Sequence, residues 1–277
     1  MFKSDLDVET IRKRIISFRE RVYKGQFKGN IYQELISIFG VNFSVLFEYR
    51  EFPVDTVFYR ARGIPLNDTI VPLKMMRHVG DAWEPRTEYV KYPGRLNDIN
   101  QSILYCCPFD PFLAIKEARA SANNFVAIMK YRSIRKVIVT ALGDYENSNL
   151  PKDELTRLYY SFIDEEFAQD VKYGEENRYA ITRAVAETFA NFPNQDGWYY
   201  RSVQSSEKFN LAFLPGKHKE CLKLEGVMIG DLRGKGPDIN SFDILSVIDF
   251  DASTGLARYH EMGSEVQKKL FPEIDKN

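Results

Sequence analysis

Residues 94–120 read GRLNDINQSILYCCPFDPFLAIKEARA, and the order of elements in this stretch decides the fold class. ILYCC is a short run of strand character, and the Asp110-Pro111 pair after it is a strong helix start. Asp110 can cap the free amides, and proline is favoured at the first helical position, where its missing N–H costs nothing. Working outward, VDTVFYRARG at 54–63, NFVAIMKYR and KVIVTALG predict strands on either side. Upstream, the spacing predicts a helix near 7–24 and a second in NIYQELISIFG, ended by Gly40. Downstream come helices around 152–168 and 176–191, then strands in WYYRSV, NLAFL, CLKLEGVMIG and ILSVIDFD. This order lacks the regular β-α-β alternation of a doubly wound sheet and predicts an α+β fold. Residues 1–50 read as an N-terminal helical extension. Residues 51–277 read as one domain, closing after about residue 256 in a short helix and a frayed tail.

The chain has 277 residues, 44% hydrophobic and 14% aromatic, enough to bury a full core. Its 38 basic and 39 acidic side chains give a formal charge of −1, which argues against a chain-wide nucleic-acid surface. The basic run IRKRIISFRERVYKGQFKG carries Ile11, Ile15, Phe18 and Val22 at helical spacing. It reads as an amphipathic helix with a solvated charged face, or as a contact for a partner or nucleic acid. Cys106, Cys107 and Cys221 fit neither a disulfide framework nor a zinc site, and His78, His218 and His260 are isolated, so no metal is expected. Without a long apolar run the chain is expected to be soluble and cytoplasmic, off the membrane. GDLRGKG at 230–236 lacks the ending of a phosphate-binding loop and reads as a turn, and DFD at 249–251 reads as a strand end.

Glu117 is an acid set into an apolar stretch. At about 100° per residue, Lys116 and Arg119 share one side of the helix and Leu113, Ala114 and Ala118 mark the other. Glu117 then sits at the edge of the buried face. A buried carboxylate needs a cation, a hydrogen-bond network or a wet cleft. Helix geometry alone leaves both a structural ion pair and a pocket carboxylate open.

VFYRARG at 57–63, GRLN at 94–97, ILY at 103–105, AIKEA at 114–118 and DGWYYRSVQSSEKFNLAFL at 196–214 together resemble the RES family. The matching positions are Arg60, Tyr105, Glu117 and Ser202. Single matches are weak, but the ordered set from Val57 to Leu214 is fairly specific. The resemblance implies an ADP-ribosyltransferase-like fold, with NAD bound in a cleft between two small sheets. It also implies a bacterial enzyme that destroys NAD by hydrolysis or phosphorolysis, as toxins of toxin–antitoxin pairs do, or one that transfers ADP-ribose to a macromolecule. The chain departs from the family pattern at Trp198, where a small aliphatic is usual, at Arg201, where proline is common, and in its first fifty residues.

Breaking the nicotinamide–ribose bond builds positive charge at the sugar carbon, and a fixed carboxylate stabilises that state more than the ground state. With the resemblance, Glu117 is the candidate for this role. A guanidinium fork suits the NAD diphosphate, with Arg60 first and Arg62 and Arg95 in reserve. Tyr105 suits the flat nicotinamide cation, with Tyr59 and Tyr200 as nearby aromatics that read equally as core. Ser202 offers a hydroxyl to a ribose or carboxamide group, and Asn210, in the FNL that follows, is a further candidate for the same pocket. NAD is thus the expected substrate, without a metal, and an antitoxin or other protein is the expected partner. Oligomeric state stays open, as does a non-catalytic nucleotide-binding or scaffold module.

Overall fold

The computed structural model describes residues 7–40, 47–120, 125–145, 149, 151, 153–234 and 241–274. In chain order these hold α1 (Val8–Tyr23), α2 (Ile31–Phe39), β1 (Tyr49–Phe52), β2 (Val57–Ile64), β3 (Tyr105–Pro108), α3 (Pro111–Glu117), β4 (Phe125–Ser133) and β5 (Val137–Leu142). There follow α4 (Glu154–Phe167), α5 (Tyr179–Phe189), β6 (Gly197–Arg201), β7 (Phe209–Phe213), α6 (Lys217–Cys221), β8 (Leu222–Asp231), β9 (Asp243–Phe250), β10 (Ala257–Glu261) and α7 (Glu265–Leu270). The fold is a mixed α+β arrangement, as the element order predicts. Among the described residues no helix is long and apolar enough to cross a membrane.

The chain divides into two compact units. The first comprises Met1–Glu51, Arg86–Ile103 and Ile138–Pro215. Its strands run in the order β1-β5-β6-β7, with β5 parallel to β6 and β6 antiparallel to β7. The parallel step needs a long connection, which α4 and α5 supply. Gly197 opens β6 because any side chain there would stand 2.2 Å from the Ala212 carbonyl oxygen. The periodic positions of α1, Ile11, Ile15, Phe18 and Val22, are all buried, and Asp7 caps the helix by accepting from Thr10 N at 2.8 Å. The two N-terminal helices belong to this unit, α1 packed on α4 and α2 on α5. Gly40 ends α2 with φ 83°, as its sequence position predicts.

The second unit comprises Phe52–Pro85, Leu104–Val137 and Gly216–Asn277. Its strands lie in the order β3-β2-β4-β8-β9-β10, and all five pairings are antiparallel. Helix α3 packs on one face, where Leu113, Ala114 and Ile115 join Tyr59, Ala61, Cys107, Val126 and Ile128 in a buried cluster.

Three expectations need correction. Helix α3 stops at Glu117, Ala118 is exposed, and Arg119 turns to φ 49°. Ala118 therefore does not mark the buried face, and Lys116 and Arg119 share no helical side. The region after residue 256 begins with strand β10, paired along its length to β9, before the short helix α7. The stretch 176–191 begins as a 3-10 turn, Glu176–Arg178, and becomes α-helical only at Tyr179. In GDLRGKG, Asp231 ends β8 and a turn follows, while residues 235 and 236 lie outside the described residues.

Candidate functional site

Four of the residues singled out in the sequence, Arg60, Arg62, Tyr105 and Glu117, belong to the second unit. Asp110 accepts from Leu113 N at 2.9 Å and Pro111 occupies the first turn, so α3 begins where the Asp-Pro pair requires. Glu117 is its last residue and is half-buried. A carboxylate there faces the negative end of the helix, against the usual preference for cations in the last turn. The helix dipole therefore does not account for an acid at this position.

Strand alternation sorts the other three. Tyr59 and Ala61 face α3, so Arg60 and Arg62 leave β2 on the opposite side. Tyr105 lies two positions before Cys107 on β3, and so shares the face that α3 covers. Tyr105 and α3 are brought to one face, and the two arginines to the other.

Arg60 is half-buried and directs Nη1 to the Trp83 carbonyl at 2.5 Å. Tyr131 anchors the same segment by donating its hydroxyl to the Ala82 carbonyl. The Trp83 ring packs 5.0 Å from Tyr131 and 5.4 Å from His218. Burial pushes the Tyr131 phenol and the Cys106 thiol well up, although nearby Arg60 opposes it in both. Arg62 is more exposed; burial, then repulsion from Arg60, lowers its pKa. His218 is 1% exposed, and its Nε2 lies 2.8 Å from Glu84 Oε2 but outside good hydrogen-bond geometry. Burial alone would raise the Glu84 carboxyl; contact with His218 and the charge of Lys219, 3.4 Å away, bring it down to about 2. Trp83, Glu84 and His218 carry no motif in the sequence that singles them out as neighbours of Arg60.

Arg95, Ser202 and Asn210 belong to the first unit. The Arg95 guanidinium lies over the rings of Tyr179 and Tyr200 at 5.6 and 5.4 Å and donates to the Gln169 carbonyl at 2.7 Å. Its carbonyl accepts from the Thr182 hydroxyl at 2.7 Å, so GRLN is held at both ends of this residue. Gly94 is needed in the same turn because a Cβ would come within 2.4 Å of Asn97 Oδ1. Ser202 is buried just past β6; its amide donates to Lys208 O at 2.8 Å and its Oγ accepts from Gln204 N at 3.0 Å. Asn210 is buried on β7 opposite Tyr200. Trp198 is buried, with its indole N–H on the Ala190 carbonyl at 2.8 Å, which accounts structurally for a large residue at that position. Among the described residues no group of His, Cys, Asp and Glu could hold a metal ion.

A model of the RES domain matches residues 74–232, more than half of the chain, and the chain belongs to the RES domain family. Tyr105, Glu117, Ser202, Arg95 and Asn210 fall within the matched span, and Arg60 and Arg62 precede it. Searches of curated proteins and of solved structures find no match.

Proposed function

We propose that this RES-domain protein consumes NAD by cleaving its nicotinamide–ribose bond, on an ADP-ribosyltransferase-like fold. The observation that carries the reading is Glu117, a half-buried carboxylate at the wrong end of α3 for helix stability, inside the span the family model matches. In this reading Glu117 stands beside the anomeric carbon. As the C–N bond breaks, nicotinamide leaves with the electron pair and the Glu117 carboxylate balances the growing positive charge on the sugar. A water oxygen, its proton released to solvent, or a phosphate oxygen then bonds to that carbon. The diphosphate contact goes to Arg60, with Arg62 as the more exposed second cation; both leave β2 on the face opposite Tyr105 and α3, so this contact requires the dinucleotide to reach round to that face. Tyr105 stacks on the nicotinamide ring. Ser202 and Asn210 belong to the first unit and are given no part in this assignment. Arg95 has a largely internal role, since its fork already meets Gln169 and its plane meets two tyrosines.

The test is incubation of the purified protein with NAD, with and without inorganic phosphate, followed by proton NMR beside Glu117→Gln. Nicotinamide formed only by the unmutated protein is the expected result, and the dependence on phosphate separates hydrolysis from phosphorolysis. Equal turnover by Glu117→Gln removes the residue from the reaction, and no nicotinamide under either condition overturns the reading. The proposal extends to a toxin restrained by an antitoxin, for which NAD loss on expression in growing bacteria is the corresponding cellular readout.

A further inference from the structure

The Arg60 guanidinium lies beside Tyr131 and donates from Nη1 to the Trp83 carbonyl at 2.5 Å. Trp83 follows the 3-10 turn Val79–Ala82 and belongs to no helix or strand, and its own amide reaches the Gly80 carbonyl only at 3.4 Å. The place of that carbonyl is therefore set by side chains rather than by a backbone ladder. Tyr131 on β4 donates its hydroxyl to the Ala82 carbonyl just before it. The Trp83 ring packs on Tyr131 at 5.0 Å and on His218 at 5.4 Å. Glu84, the next residue, brings Oε2 to 2.8 Å from His218 Nε2 and Oε1 to 3.4 Å from Lys219 Nζ. His218 thus meets both Trp83 and Glu84. It is 1% exposed, and α6, which carries it, is tied to the end of β4 by the Ile134 amide on the Cys221 carbonyl at 2.9 Å.

We infer that His218 is a positioning residue for Arg60, acting through the Trp83 carbonyl. The inference rests on the NAD reading for its effect on turnover, but not for its effect on Arg60 itself. Glu84 Oε2 is buried, and a buried carboxylate oxygen is costly without a polar neighbour. Without the imidazole, Glu84 turns toward water and the Trp83 ring loses a support, so the carbonyl between them leaves Arg60. A guanidinium is a planar fork, and its match to a diphosphate depends on its orientation. The diphosphate is remote from the bond that breaks, so it is held alike in the ground and transition states. Loss of position therefore shows in KM and spares kcat.

The test reads the arginine Nε–H groups of the full chain by nitrogen NMR without NAD, and then NAD turnover, with Arg60→Lys assigning the Arg60 signal by its loss. His218→Leu should move that signal and raise KM about tenfold, with kcat within about twofold. His218→Gln keeps a donor toward Glu84 and should restore part of both effects. In the Arg60→Lys background, His218→Leu should add less than about twofold to KM, because the group it positions is gone. If His218→Leu fails to fold, Glu84→Gln at a half-buried position tests the same path, and it should move the Arg60 signal in the same direction. An Arg60 signal that stays in place in the folded variant overturns the inference, as does a KM effect that adds in full to that of Arg60→Lys. If the unmutated protein releases no nicotinamide, the NAD reading fails by itself, and the Arg60 signal alone decides whether His218 positions Arg60.

Discussion

Arg19 of α1 and Glu166 of α4 meet at 2.5 Å although 147 positions separate them, and Glu166 is 1% exposed. Tyr23 donates to the same carboxylate at 2.7 Å and Gln169 at 3.1 Å, while Arg19 also holds Glu165 at 2.7 Å. Removing the guanidinium strands a buried charge, so Arg19→Met should lose about 3 kcal/mol in urea unfolding. Burial, opposed by Arg19, holds the Glu166 carboxyl above its ordinary value. A raised folded-state value means that the folded protein takes up the proton first, so the carboxyl's contribution is favourable in acid and lost as the pH rises. The deficit of Arg19→Met should therefore be largest near neutrality and narrow toward acid.

Glu84 has the opposite sign. Its folded value of about 2 lies below the ordinary 4.5. The stability it adds is present above about pH 4.5 and is lost as the pH falls toward 2. With screening by water taken into account, it amounts to about 1 to 2 kcal/mol. Glu84→Gln should flatten the acid limb of stability against pH, measured by urea unfolding between these limits.

Arg60→Met removes the donor to the Trp83 carbonyl and should cost about 1 to 3 kcal/mol. Arg60→Lys keeps a cation and a donor but not the planar fork. If Arg60 binds diphosphate, the lysine variant should melt near the unmutated protein yet raise KM for NAD. Melting and steady-state kinetics on both variants separate the two effects.

Gly197→Ala should destabilise by about 3 kcal/mol, because the new methyl would stand 2.2 Å from the Ala212 carbonyl oxygen across the β6–β7 pair. Thermal unfolding measures the loss, and a variant that melts unchanged would show that the two strands can part without cost.

Local chemistry carried much of the fold in the sequence. The α1 stripe, the Asp110-Pro111 start and the stop at Gly40 depend on residues within a turn or two of one another. The end of α3 was less legible, because Arg119 in the left-handed region closes the helix without a glycine to announce it. Strand β10 is hidden in the sequence because ARYHE lacks a β-branched alternation and takes its form from pairing with β9. The candidate site was legible as residue types in order, but not as faces. That Arg60 and Tyr105 leave their strands on opposite sides follows from which of their neighbours pack on α3. The Trp83, Glu84 and His218 cluster was hidden for the same reason, since His218 lies far along the chain from the other two.

The two units are each assembled from three separated segments, so the chain enters and leaves each of them repeatedly. No single cut yields either unit whole. Gene fission or the loan of one unit to another protein would demand several simultaneous breaks, and the pair is therefore expected to be inherited as one evolutionary module. For the same reason a fragment library made by random truncation should return few soluble pieces from this chain, whichever end is trimmed.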